Sequence, residues 1–295
     1  MPKRVFILAL VGTALLTALF FSVLRREDAT LGTPLIDTSI LPDVRWSDVR
    51  HTQGTVLRGD LSEQTLTPAN SPYLLEGTVR IPRATVVRVA PHTLIAAADG
   101  ARIVVEGTLD ADRATFTNTH LHPQRRLWHG LVVERGGILM LRKSGITDAS
   151  AGATCAAGGS LRITDTSIST TAAGIVTLPG CATATIERVS IADGRVGLYL
   201  LGGTPAITAL TLTRVFDGMR VFHEARPAMT GVTARALQHA LVVYAAEPNL
   251  VVRNLTLPPN TDAATLMFDG ADTPKHRWND HEYSTGRVLI EKTRS

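Results

Sequence analysis

Few residues of the 295-residue chain combine type and spacing in a way that suits chemistry. Asp217 and His239 are the best pair, because a carboxylate beside an imidazole can hold and move a proton near neutral pH. Asp148, Asp193, Arg195 and Arg220 are the other residues suited to acid–base work. Two-carboxylate hydrolysis of a glycosidic bond needs an acid and a base at a set separation, and the sequence contains no Asp-Asp pair to suggest one. Elimination chemistry needs a basic residue, often with calcium held by several carboxylates. His120-x-His122 with His129 nearby has donors for a transition metal, but on a polar loop such histidines also read as plain solvated side chains. His276 and His281 read the same way. Cys155 and Cys181 are the only cysteines and lack CxxC spacing; Cys155 reads equally as a buried thiol or as one half of a bridge to Cys181. No cofactor is implied.

Positioning such residues requires a scaffold, and an internal repeat supplies it. Ile146, Ile168, Ile191, Leu212, Ala234 and Leu257 recur at intervals of 22, 23, 21, 22 and 23. Five positions earlier stand Leu141, Ile163, Ile186, Ile207, Met229 and Val252, all apolar. Seven positions later stand Ala153, Ile175, Leu198, Met219 and Leu241, and nine later Cys155, Thr177, Leu200, Val221 and Val243. Short alternating strands with small or polar turns make up each unit, and alternation turns one face inward. Such a unit suits one coil of a parallel β-helix, each coil pairing with the next at about 4.8 Å. The spacing therefore predicts an all-β, single right-handed parallel β-helix. The column Gly152, Gly174, Gly197 and Gly218, closed by Ala240, is expected to mark a tight corner where a side chain would clash or φ is positive.

The stretch before the repeat adds motifs in a set order. Tyr73-Leu-Leu-Glu-Gly77 leads to a strand ending at Pro82, then to Ile103-Val-Val-Glu-Gly107-Thr-Leu109, Ala114-Thr-Phe-Thr117 and Trp128-His-Gly130. This order resembles the entry coils of bacterial surface and secreted right-handed parallel β-helix proteins of the pectate-lyase-like superfamily. The resemblance covers roughly residues 73–268. It implies the fold and says little about activity, since that family holds lyases, hydrolases, epimerases and adhesins. The galacturonan-hydrolase pattern is missing, with Trp128-His129-Gly130 only a faint echo of its last element.

Two outward surfaces follow from the alternation. Ser167, Ser190, Thr211, Thr233 and Thr256 form a hydroxyl column, with Thr147, Ser169 and Thr213 beside it. Regular hydroxyl arrays can bind ice, but Ala192, Arg235 and Pro258 interrupt the second column, and such residues also suit a solvated strand. The second surface is apolar: Val176, Tyr199, Arg220 and Val242 point outward, with Leu178, Leu201, Phe222 and Tyr244 beyond them. A contiguous patch of this kind is expected to be covered by the tail, the stalk or a partner protein.

Residues Val5 to Leu24 carry no charge over 20 positions, which spans about 30 Å as a helix. The span ends through Phe20 and Phe21 into Arg25 without a small-x-small cleavage site, so a signal anchor is expected rather than a cleaved signal. The chain holds 30 Lys and Arg against 26 Asp and Glu; removing Lys3, Arg4, Arg25 and Arg26 around the apolar span leaves 26 against 26. The basic balance thus belongs to the anchor and gives no footprint for nucleic acid. The expected layout is an anchor over 1–26, a stalk or cap over 27–72, the β-helix over 73–270 and a C-terminal cap or tail over 271–295. The expected role is a non-catalytic binding or scaffold module for envelope glycan or protein, held on the inner membrane of a bacterium with its bulk outside the cytoplasm. A carbohydrate-active enzyme on acidic polysaccharide is the alternative.

Overall fold

The computed structural model describes residues 54–119 and 127–244, together with the strands Leu250–Thr256, Thr265–Phe268, His276–Arg277, Tyr283–Thr285 and Val288–Glu291. The described residues form a parallel β-solenoid of about eight turns, with coils of about 22 residues. Its strands stack in three ladders. The first runs through Val86–Val89, Thr108–Asp112, Ile138–Arg142, Ser160–Thr164, Thr183–Glu187 and Ala206–Thr208. The second runs through Leu94–Ala97, Thr115–Asn118, Gly145–Thr147, Ser167–Ser169, Ser190–Ala192 and Thr211–Thr213. The third runs through Arg102–Val105, Gly130–Val133, Ala151–Cys155, Ala173–Thr177, Val196–Gly203, Asp217–Ala225 and His239–Tyr244.

The register matches the repeat. Ile146, Ile168, Ile191, Leu212 and Ala234 are partners in sequence in the second ladder. Leu141, Ile163, Ile186, Ile207, Met229 and Val252 are partners in the first. Ile175, Leu198, Met219 and Leu241 are partners in the third. Described side chains of these columns form one buried core. Each fully buried Leu or Ile contributes roughly 1.5–3 kcal/mol through removal of its surface from water.

The glycine column has a different cause from a corner. Gly174 and Gly197 lie inside third-ladder strands. A Cβ on Gly174 would stand 2.6 Å from the carbonyl oxygen of Gly197, and one on Gly197 would stand 2.5 Å from that of Gly218. Close approach of adjacent coils, not positive φ, demands glycine here. The left-handed residues stand elsewhere. Lys143, Asp165, Arg188 and Ala209 turn the chain from the first ladder to the second at φ of 49°, 50°, 51° and 54°. Asp148, Thr170, Asp193 and Arg214 turn it from the second to the third at φ of 56°, 54°, 55° and 51°. Stacked amide bonds continue through these corners, as where Asp165 N–H donates to Glu187 and Arg188 N–H to Thr208. Those bonds offset a conformation that L residues rarely adopt.

The Trp-x-Gly motif also has a packing reason. Trp128 is fully buried and its Nε1 donates to the Thr147 carbonyl at 2.9 Å. A Cβ on Gly130 would collide with the Ala151 carbonyl oxygen at 1.6 Å. Cys155 and Cys181 are joined as a disulfide with Cα atoms 5.6 Å apart, which ties the end of one third-ladder strand to the corner of the next coil.

Parallel pairing begins earlier than Tyr73: Thr55–Asp60 pairs with Tyr73–Ile81, and Gln64–Leu66 with Val86–Val89. At the other end, Thr265–Phe268 prolongs the third ladder and Val288–Glu291 the first. His276–Arg277 and Tyr283–Thr285 lie antiparallel to these strands. The tail strands Tyr283–Thr285 and Val288–Glu291 therefore extend the end of the solenoid. Trp278 in the tail lies outside the described residues, as do His120, His122 and the apolar span from Val5 to Leu24. Among the described residues no helix is long and apolar enough to cross a membrane.

Gly197→Ala is expected to lower unfolding free energy by about 1–3 kcal/mol through overpacking. Gly145→Ala should change it far less, because its Cβ would meet only Ser167 Oγ at 3.7 Å. Replacing Cys155 and Cys181 together by serine should cost about 2–4 kcal/mol, as the bridge closes a loop with a sequence separation of 26. Urea titration of the variants checks both, and thiol titration of the unfolded unreduced chain should find no free thiol.

Candidate functional site

In the third ladder, Ile175, Leu198, Met219 and Leu241 face the core, so their neighbours Val176, Tyr199, Arg220 and Val242 form the register column on the other side. Tyr199 and Phe222 stand ring to ring with centroids 5.0 Å apart and planes tilted by 40°. Leu178 and Leu201 are half-buried, whereas Val176 and Val242 are 0 % and 1 % exposed although neither belongs to the core cluster. The backbone of Tyr244 pairs with Phe222. Apolar and aromatic groups thus share one outer strip with a guanidinium.

Asp217 opens its strand at the edge of this strip. Its column mates in earlier coils are Val196, Ala173 and Ala151, all buried and apolar, and the carboxylate inherits their seclusion with a side-chain exposure of 2 %. A buried carboxylate needs partners, since leaving it unpaired costs several kcal/mol. Two are present. His239, its register partner in the next coil, brings Nδ1 to 2.7 Å from Oδ1. Arg220, three residues along the same strand, donates from Nε to Oδ2 at 2.7 Å, with Nη2 at 2.5 Å from the same oxygen. Both partners remain partly open to solvent, at 17 % for His239 and 20 % for Arg220. Arg195 precedes Val196, and its carbonyl accepts the Asp217 N–H at 2.8 Å. Burial, then the nearby positive charge of Arg220, lower the pKa of the Arg195 guanidinium, while Asp217 acts the other way. Four of the six candidate acid–base residues therefore meet in one place.

The other two do not join them. Asp193 sits on the corner between the second and third ladders and accepts from Arg214 Nε at 2.6 Å and Nη2 at 2.8 Å. That pair raises the pKa of Arg214 above its ordinary value. Asp148 occupies the same corner two coils earlier. His129 lies between Trp128 and the third ladder, and among the described residues no three His, Cys, Asp or Glu side chains are grouped to hold a metal. The hydroxyl columns of the second ladder are in register, and Thr147 donates to Thr117 across coils at 2.9 Å. Ala192 and Arg235 interrupt that array in its register with Thr213.

Chemically, Asp217 is engaged on both oxygens and cannot serve as a free general base beside a second carboxylate. What the site offers outward is positive charge and an imidazole, next to a ring pair. Alternation alone pointed Arg220 outward; its reach back to Asp217 depends on a side-chain rotamer along the strand. The signal that the sequence offers for Asp217 is its pairing with His239, a carboxylate and an imidazole one coil apart.

A scan against models of known protein families finds no match, and no curated protein is similar in sequence.

Asp217→Asn should destabilise the fold by about 3 kcal/mol, because Arg220 and His239 would lose the charge that compensates their burial. At the first corner, Arg188 binds Asp165 from Nε at 2.6 Å and Nη2 at 3.0 Å, and it also contacts Glu187. The hydrogen bonds from Arg188 hold the Asp165 carboxyl below its ordinary pKa. A lowered folded value means this contribution is present above about pH 4, the unfolded value, and is lost as pH falls through the folded one. Acid unfolding of Asp165→Asn should accordingly begin from lower stability at neutral pH and converge on the wild type as pH falls through the lowered folded value.

Proposed function

We propose that this chain is a membrane-tethered, right-handed parallel β-helix of the bacterial surface type, whose third face binds envelope glycan without cleaving it. The observation that carries this reading is the outer strip in which the Tyr199–Phe222 ring pair adjoins Arg220 and its buried carboxylate. Aromatic faces and guanidiniums suit the apolar faces and polar rims of sugars. The ring pair answers the chain's low aromatic content, because both rings are spent in one spot. Engagement of Asp217 by Arg220 and His239, and of Asp193 by Arg214, argues against two-carboxylate hydrolysis. Export from the cytoplasm is supported by the Cys155–Cys181 bridge, which suits an oxidising compartment, and by the uncharged stretch from Val5 to Leu24. A protein of the envelope is the other ligand that this apolar strip would suit.

A second reading has one observation in its favour. The Asp217–His239 contact orients an imidazole in the way that proton-transfer sites do, so a carbohydrate-active enzyme on acidic polysaccharide is the alternative. One experiment separates the two. The full-length protein is incubated with neutral and acidic polysaccharides, with and without calcium, and both retention and new chain ends are followed. Retention without new ends is expected, weakened about tenfold, or 1.4 kcal/mol, in Tyr199→Ala and Phe222→Ala. New ends that vanish in His239→Ala would establish the enzyme instead.

A further inference from the structure

We infer that Arg58, Gly59 and Asp60 form a docking point for a protein that carries a divalent cation, with an open coordination position, beside an acidic pocket. The inference is independent of the third-face reading, because the triplet stands in the first described coil and the Tyr199–Phe222 ring pair in two much later ones.

The backbone sets the presentation. Arg-Gly-Asp occurs once in the chain, at the end of the strand Thr55–Asp60. Its partner strand Tyr73–Ile81 belongs to the second ladder over Tyr73–Leu75 and to the third over Thr78–Ile81, so the triplet lies on the corner between the two. The register slips there: Leu57 faces Leu75 and Gly59 faces Val79, which sets Arg58 alone against Glu76, Gly77 and Thr78. So tight a turn takes a left-handed residue, and Gly59 supplies it at φ of 62°. Leu57 and Leu61 are buried on either side, at 7 % and 8 % exposed, and clamp the triplet to the core. Between them Arg58, Gly59 and Asp60 are all exposed, and a Cβ on Gly59 would meet nothing within 4 Å. A guanidinium and a carboxylate thus stand two residues apart on an outward corner, with no side chain between them.

The two charges are not spent on each other. Arg58 Nη2 meets Glu76 Oε2 at 2.5 Å, and both side chains are open to solvent, at 67 % and 44 % exposed. An exposed pair of this kind contributes little, so a more secluded carboxylate on a partner can take the place of Glu76 as a bidentate acceptor. Asp60 differs. Arg80, the residue opposite it, is turned to Glu106 at 3.4 Å, and among the described residues the Asp60 carboxylate has no counter-ion. Nor are three acids grouped among the described residues to hold a metal, so the ion must come with the partner. A magnesium-type ion is commonly held by one or two carboxylates and keeps exchangeable water positions, which one further carboxylate can fill. Asp60 suits that position while Arg58 enters the acidic pocket, and charge is complementary at both ends.

The test uses the full-length protein, immobilised, and a purified cell-adhesion receptor ectodomain chosen because it binds Arg-Gly-Asp peptides in manganese and not in EDTA. Surface plasmon resonance should show binding in manganese and none in EDTA. A soluble Arg-Gly-Asp peptide should displace the receptor, and an Arg-Gly-Glu peptide should not. Asp60→Glu keeps the charge but moves the carboxylate by one methylene, so it should weaken binding by at least about tenfold, and Arg58→Ala by about the same factor. Both positions are exposed, unchanged urea midpoints show that the coil is intact, and the peptide competition needs no variant at all. No binding in manganese, binding that survives EDTA, or binding unmoved by Asp60→Glu overturns the inference, and none of these results touches glycan retention on the third face.

Discussion

Stacking each coil in register on the one before is the constraint from which the rest of the structure follows. Parallel amide bonds fix the separation at about 4.8 Å, so every residue sits directly against its counterparts one coil away. A side chain must therefore suit its column as well as its strand. Ile146, Ile168 and Ile191 stack because like fits like in the core. Gly174 and Gly197 exist because two backbones approach too closely for a methyl group. At the corners the same requirement forces Asp165 and Arg188 into a left-handed conformation, and opposite charges then meet across coils.

The candidate site arises where a column changes character. Ala151, Ala173 and Val196 occupy a secluded apolar track, and Asp217 then enters it. The register brings His239 against the carboxylate, and the strand itself brings Arg220. A local departure from the repeat, costly unless compensated, is where function is most expected in an otherwise consistent sequence. The neighbouring ring pair is built by the same logic, one ring from each of two coils.

Most of the architecture was legible because periodicity reports burial directly. The three inward columns, the outward set at Tyr199 and the pairing of Asp217 with His239 all follow from counting residues. The corners were not legible, since Lys143, Asp165, Arg188 and Ala209 share a backbone conformation but no side-chain chemistry. The glycines misled in part, because a residue lacking a side chain gives the same letter for a turn and for a close approach. The first coil at Thr55 was hidden by prolines that lie in its connections, including Pro68 in a short 3-10 turn. Whether Cys155 was a thiol or a bridge needed the placement of Cys181 in the adjacent coil, which spacing alone leaves open.

The measurement that bears most directly on this picture is a double-mutant cycle between Asp217 and His239, using Asp217→Asn, His239→Gln and both together, read by denaturant unfolding of the full-length protein. In-register contact between the two side chains predicts a coupling energy above about 1 kcal/mol. Effects that add to within about 0.3–0.5 kcal/mol would mean that the residues do not touch, and the site built on their contact would be contradicted.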